Sequence, residues 1–159
     1  MGEPVLFVAT ATAGDEEMKR RIEEHRRVRP ATWDTLEVTT QVGSQISQRI
    51  GGAKVVIVDC VTLWVNNILD QYADQANEPV NASIVEQKIT TEVDELVDCI
   101  NHTEASFIIV TNEVGLGLVP ANRVGRLYRD LLGRVNQLLT ERADEVYLML
   151  AGLPVQIKP

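Results

Sequence analysis

Residues Lys54-Val-Val-Ile-Val-Asp59 constrain the fold more than any other stretch: four β-branched apolar residues run without a polar break and end in a carboxylate. A strand with one wet face alternates apolar and polar residues, so an unbroken run predicts a strand buried on both faces, as in parallel sheets. Pro4-Val-Leu-Phe-Val-Ala9 and Ser106-Phe-Ile-Ile-Val-Thr111 repeat the pattern. Helical segments separate these runs, and that alternation predicts an α/β fold with a mostly parallel sheet covered by helices on both faces.

The segments between the runs carry their own start and stop signals. Asp15-Glu-Glu opens a helix with acids in its first turn and arginines towards its end, the order the helix dipole favours, and Pro30 stops it. Trp33 to Val38 reads as a short strand, Val42 to Ile50 as a helix closed by Gly51-Gly52, and Val61 to Gln71 as a further helix. Ala73 to Asn81, with Asn77-Glu-Pro79, reads as an exposed loop. From Ile84 to Ile100, Ile84, Ile89, Val93, Leu96, Val97 and Ile100 fall near one helix face. From Asn122, a capping residue, to Glu141 the same holds for Val124, Leu127, Leu131, Val135 and Leu138. Glu145 to Leu150 and Val155 to Ile157 close the chain as strands about a Gly152/Pro154 turn.

With 159 residues, 45% hydrophobic and 24% charged, the chain reads as a single domain, 1–159, able to bury a core without staples. No apolar run approaches bilayer length and no signal-peptide pattern opens the sequence, so a cytoplasmic protein without a membrane span is expected. Cys60 and Cys99 form neither a disulfide framework nor a zinc motif, and both are expected reduced and partly buried. A net charge of −8 argues against a nucleic-acid binder, which needs a broad basic surface; small anions are the expected partners.

Against that acidic background, Lys19, Arg20, Arg21, Arg26, Arg27 and Arg29 cluster around His25. Two readings stay open. The segment can be a solvated helix face, with Glu17/Arg21 and Glu16/Arg20 as i,i+4 pairs. It can equally be an anion site, since arginines around an imidazole suit phosphoryl or nucleotidyl transfer to nitrogen. Asp59 is also double-valued: a strand-end acid can hold a nucleotide-bound Mg²⁺, or cap the helix that starts at Val61. His102, at the end of the long helix near Ile100, reads as a structural partner of the dipole.

Taken in order, Ala9-Thr10, Arg21-Ile-x-x-His25-Arg-x-x-Arg29-Pro30 with Trp33 and Glu37, Asp59-Cys60-Val-Thr62, Thr111-Asn-Glu-Val-Gly-Leu-Gly-Leu-Val-Pro-x-Asn-Arg123, Arg129-Asp130 and Gly133-Arg-Val-Asn-Gln137 carry a resemblance running from about Val5 to Lys158. The sequence resembles the bifunctional adenosylcobinamide kinase/adenosylcobinamide-phosphate guanylyltransferases of cobalamin assembly. That resemblance implies a RecA-like P-loop nucleotide-binding fold that phosphorylates adenosylcobinamide and then moves GMP from GTP onto adenosylcobinamide phosphate through a GMP-histidine. It implies GTP, with ATP as an alternative phosphate donor, Mg²⁺, and a homo-oligomer, often a trimer. His25 matches the GMP-carrying histidine, and Arg26, Arg27, Val28 and Arg29 match the nucleotide-contacting segment beside it. Thr10, Ala11 and Thr12 match a loop at the nucleotide, and Glu37 and Asp59 the remaining contacts, with Asp59 on the metal.

Two departures accompany the likeness. The family usually has Glu at the position of Asp59. It also opens with a strand, a Gly-x-x-x-x-Gly-Lys-Ser loop and a helix, whereas Gly51-Gly-Ala-Lys54 precedes a strand and lacks the spacing and the hydroxyl. The chain is therefore expected to begin at the family's second strand, short by about 25 residues, roughly one strand-loop-helix unit. A fragment or misplaced start, a natural short form, or an element supplied by another chain would each account for it. The alternative function is a non-catalytic or assembly-dependent nucleotide- or corrinoid-binding remnant.

Overall fold

The computed structural model describes residues 2–73 and 80–159. Its elements run β1 (Val5–Ala9), α1 (Glu16–Val28), β2 (Asp34–Glu37), α2 (Val42–Arg49), β3 (Val55–Asp59), α3 (Val61–Ala73), α4 (Ala82–Asn101), β4 (Ser106–Val110), α5 (Arg123–Arg142), β5 (Val146–Leu150) and β6 (Leu153–Lys158). Residues 74–79 of the expected Ala73–Asn81 loop lie outside the described residues.

The three apolar runs become β1, β3 and β4 of a four-stranded sheet ordered β2-β1-β3-β4, all pairs parallel. The chain leaves β1 for one edge and, after β3, moves to the other, which makes the carboxyl ends of β1 and β3 a topological switch point. Right-handed crossovers then put α1 on one face and α2 to α4 on the other. The second face carries the core: Leu6, Val8, Val56 and Val58 join Val42, Ile46, Trp64, Ile68, Val93, Leu96, Leu132 and Val135 in one buried cluster. Fully burying side chains of this size contributes about 1.5–3 kcal/mol each.

Coverage of the opposite face differs from expectation. Helix α1 has no buried residue. It joins β1 to β2 and so lies away from β4, leaving Ile108 and Val110 exposed on a strand expected to be buried on both sides. The helical stripes shift likewise: in the first turns Ile84 and Val124 are exposed, Val85 takes a core position in α4, and Leu132 takes one in the middle of α5.

Local signals account for the boundaries. Asp15 accepts from Met18 N–H at 2.7 Å, Asn81 from Ser83 and Ile84, and Asn122 from Gly125, so each helix of 13 or more residues with a described N-cap starts on an acid or amide side chain. Gly43 has no room for a side chain: a Cβ there would stand 2.5 Å from the α4 backbone at Glu95 and Leu96, which sets the close α2–α4 approach. Strands β5 and β6 form a separate antiparallel hairpin outside the parallel sheet. Ala151 and Gly152 turn it with φ of 50° and 81°, the positive values that two-residue hairpin turns need. Lys158 Nζ then donates to the carbonyls of Thr140, Glu141 and Ala143 at the end of α5, fixing the hairpin where cations are favoured.

Candidate active site

At the switch point the ends of β1, β2 and β3 come together with the last turn of α1. The register pairs Ala9 with Glu37 on one side and with Asp59 on the other, so both acids flank the end of β1. His25 Nδ1 stands 4.0 Å from Asp59 Oδ2, with the imidazole 68% and the carboxylate 31% exposed. That is ion-pair reach for a protonated ring and longer than a hydrogen bond, a separation that ligand binding can close.

Two arginines lock this end of α1 to the sheet. Arg26 donates to Glu37 Oε1 through both Nε and a terminal nitrogen, the Nε bond being 2.9 Å. Arg29 donates to Thr35 Oγ1 at 2.9 Å, and its guanidinium carbon lies 3.7 Å from the Phe7 ring centre. Phe7 in turn stacks on Trp33, ring centres 6.2 Å apart. Burial pushes the Arg29 pKa below its ordinary value and the charge of Arg26 adds to this, while Glu37 and Asp59 oppose it. Arg29 thus sits in the field of all three neighbours.

The remaining predicted residues divide. Thr10 is fully buried, and its hydroxyl donates to Cys60 O at 2.7 Å while accepting from Cys60 N–H at 2.8 Å. Its side chain is spent on joining β1 to β3. Ala11 and Thr12 line a cleft of about 540 Å³ with Ala13, Glu37, Thr39 and Gln45. Arg27 pairs with Glu24 inside α1, and Val28 is exposed beside it; neither is drawn into the His25–Asp59 group. On the same helix Arg21 pairs with Glu17 at 2.9 Å, whereas Glu16 meets Lys19 in place of Arg20. The basic island therefore divides: its first half pairs within the helix, and its last turn meets β2 and β3 through Arg26, Arg29 and His25.

His102 ends α4 with Nδ1 2.7 Å from Asp98 O, the expected structural role. Cys60 and Cys99 are free; Cys60 is half-buried as expected, whereas Cys99 is buried in the core. Burial pushes the Cys60 thiol up, and the charge of Asp59 adds to this.

Residues absent from the sequence reading also shape the site. Asn67 of α3 donates Nδ2 to Thr10 O at 2.8 Å and to Thr39 O at 3.3 Å, and its Oδ1 receives the Thr12 hydroxyl at 3.4 Å. Glu92 of α4, fully buried, accepts from Gln41 N–H at 2.7 Å and Trp64 Nε1–H at 2.8 Å. Gln41 is left-handed at φ 56°, ψ 38°, a conformation that costs a side-chain-bearing residue about 1–2 kcal/mol. An acid three residues after Ile89 on an apolar stripe was the one available signal for Glu92.

Among the described residues, no group of three or more His, Cys, Asp or Glu could cage a metal ion. A lone strand-end carboxylate fits Mg²⁺ carried in by phosphates, which binds through one or two carboxylates. A parallel four-stranded sheet flanked by helices, with an acid and an imidazole meeting at its switch point, makes this an α/β domain consistent with the P-loop-like kind.

Over residues 1–157 the sequence matches the family model described as "Cobinamide kinase / cobinamide phosphate guanyltransferase", and the chain belongs to that family. Among curated proteins it is 40% identical over 155 residues to the bifunctional adenosylcobalamin biosynthesis protein CobU of Escherichia coli, covering 97% of this chain and 86% of that one. The protein of the same name from Salmonella typhimurium is 37% identical over 156 residues, with the same two coverages. The bifunctional adenosylcobalamin biosynthesis protein CobP of Pseudomonas aeruginosa is 37% identical over 157 residues, 99% of this chain and 84% of that one.

Proposed function

We propose that the chain transfers GMP from GTP to adenosylcobinamide phosphate through a covalent GMP-His25, and takes part in the preceding phosphorylation of adenosylcobinamide with GTP or ATP as donor. The observation that carries this reading is the placement of His25 against Asp59 at the switch point. Asp59 beside Nδ1 favours the ring proton on that nitrogen and leaves the Nε2 lone pair for the α-phosphorus. An N–P bond forms as the bond to the β-phosphate oxygen breaks, and pyrophosphate leaves. A phosphate oxygen of adenosylcobinamide phosphate then attacks the same phosphorus, the N–P bond breaks, and adenosylcobinamide-GDP and free His25 result. Arg29 and Arg26 balance phosphate charge. Mg²⁺ would be held by Asp59 and the phosphates, where it neutralises charge on the leaving group.

The cleft beside Glu37 suits the guanine base. Its lining is neutral apart from Glu37, so it does not favour phosphates. Arg26 engages Glu37 Oε1, which leaves Oε2 to accept from a guanine base, whose N1–H and N2–H both donate. Adenine presents an acceptor at N1 and would meet the carboxylate with like polarity. Arg27 and Val28 take supporting places on the helix end. We place the reaction in the cytoplasm, on a homo-oligomer, by family likeness; no helix among the described residues is long and apolar enough to cross a membrane.

The test is label transfer. Protein incubated with α-labelled GTP and Mg²⁺ should retain label that is acid-labile and alkali-stable, as a phosphoramidate is, and His25→Ala should lose it while His102→Ala keeps it. Label persisting in His25→Ala would remove the assignment.

A further inference from the structure

We propose that Glu92 and Asn67 are positioning residues for the nucleotide: from α4 and α3 they brace the loops after β1 and β2 from beneath and so fix the walls of the cleft. The inference rests on the reading of that cleft as the base subsite. Neither side chain lines the cleft itself. Their bonds run to the backbone of the residues that do, or to their immediate neighbours. Asn67 Nδ2 ties Thr10 O to Thr39 O, one from each loop. Glu92 Oε2 takes the N–H of Gln41, the left-handed residue at which the second loop turns into α2.

A core position on an apolar stripe is normally filled by an aliphatic side chain, and a carboxylate there costs desolvation that packing does not return. Glu92 is surrounded by Ile89, Val93 and Leu96 on its own helix, all buried. Its charge meets Lys88 Nζ at 3.3 Å from Oε1, an oxygen that receives no aligned hydrogen bond. The two aligned bonds are both on Oε2, from Trp64 and Gln41. Trp64 is itself buried and holds the carboxylate in place, so Gln41 is the destination of the arrangement. Without that acceptor, Gln41 has no side-chain cap and no compensation for its positive φ, and the Thr39–Gln41 wall is free to relax.

The experiment is a comparison of Glu92→Leu, Glu92→Gln and Asn67→Ala with the parent chain, by calorimetric titration with GTP and with adenosylcobinamide and by amide exchange at Gln41. In Glu92→Leu, exchange at Gln41 should accelerate and the GTP Kd should rise about tenfold, while corrinoid binding holds within about twofold. In Glu92→Gln the carbonyl oxygen in the Oε2 place accepts both bonds, and Lys88, whose side chain is 31% exposed, can swing away from the amide nitrogen that takes the Oε1 place, so Gln41 protection and the GTP Kd should stay within about threefold of the parent. Asn67→Ala should also weaken GTP binding by about tenfold with corrinoid binding kept, and decides the matter if Glu92→Leu does not fold. A folded Glu92→Leu or Asn67→Ala with parental GTP binding overturns the proposal. So does an equal loss for both ligands, or a Glu92→Gln as impaired as Glu92→Leu. A parent chain that binds no GTP overturns the proposed function and the ligand-positioning role with it, whereas unchanged Gln41 exchange in Glu92→Leu overturns the brace alone.

Discussion

Asp59 Oδ2 faces His25 Nδ1 across 4.0 Å, although the two residues come from a strand end and a helix end 34 positions apart in sequence. In the proposed mechanism this brings a carboxylate to the ring nitrogen opposite the one that attacks. Asp59→Asn should therefore slow GMP-His25 formation by about tenfold or more, roughly 1.4 kcal/mol in the barrier. Asp59→Glu, which keeps the carboxylate, should retain most of the rate. Label formation within twofold of the parent in Asp59→Asn would make the acid a structural group only.

Arg29 is both a brace and a charge. Removing its guanidinium takes away the Phe7 contact and the Thr35 bond. Arg29→Ala should weaken GTP binding by about 1.5–3 kcal/mol, as for loss of a charge-assisted bond. It should also lower the melting temperature, because a cation over an aromatic ring contributes about 0.5–1 kcal/mol or more. Arg29→Lys separates the two, keeping the charge without the planar fork. Titration within twofold of the parent in Arg29→Ala would leave only the brace.

Glu37→Gln should change which base is preferred. The amide that replaces Oε2 presents a donor to N1–H of guanine, whereas xanthine offers an oxygen in place of the 2-amino group. Labelling with GTP should fall, and XTP should become a competitor where it was inert. An unchanged GTP-to-XTP ratio would show that Glu37 does not read the base.

Tyr128 ties α5 to the start of α3, its hydroxyl donating to Thr62 O at 3.0 Å. Burial, with a smaller contribution from Cys60, pushes its pKa up to about 12 from 10.0. An acid raised in the folded state stabilises the fold below its unfolded pKa and loses that contribution as pH rises towards the folded value. Melting temperature should therefore fall between pH 10.0 and about 12, and Tyr128→Phe should flatten that fall. A parallel decline in both proteins assigns the alkaline transition elsewhere.

Gly43→Ala should destabilise the fold by forcing α2 away from α4. Its Cβ would press on α4 backbone at 2.5 Å, where no side-chain rotamer can yield. A cost of about 1–3 kcal/mol, typical of overpacking, is expected in denaturant titration. A neutral substitution would mean that α2 and α4 separate freely.

Sequence by itself determined what depends on neighbours along the chain. Val55 to Val58 read as a strand buried on both faces, and the strand formed with Val56 and Val58 fully buried and Val55 and Ile57 partly so; Asp15, Asn81 and Asn122 could cap because their acceptors reach N–H groups two or three residues on. The linear order of motifs carried the family, matched over residues 1–157. What the tertiary structure decided depends on crossovers and on partners far apart in sequence. The switch of direction at β1 set His25 beside Asp59 and left Arg27 on the far side of α1, a division invisible in a run of arginines. The same topology kept α1 away from β4, so that an apolar run equal to that of β3 in sequence has an exposed face at Ile108 and Val110. Glu92 and Asn67 lie 51 and 57 positions from the residues they hold, and no local rule connects an acid on a helix stripe to a left-handed residue at the turn into another helix. Hydrogen bonds over such distances exist only once the core has closed around them.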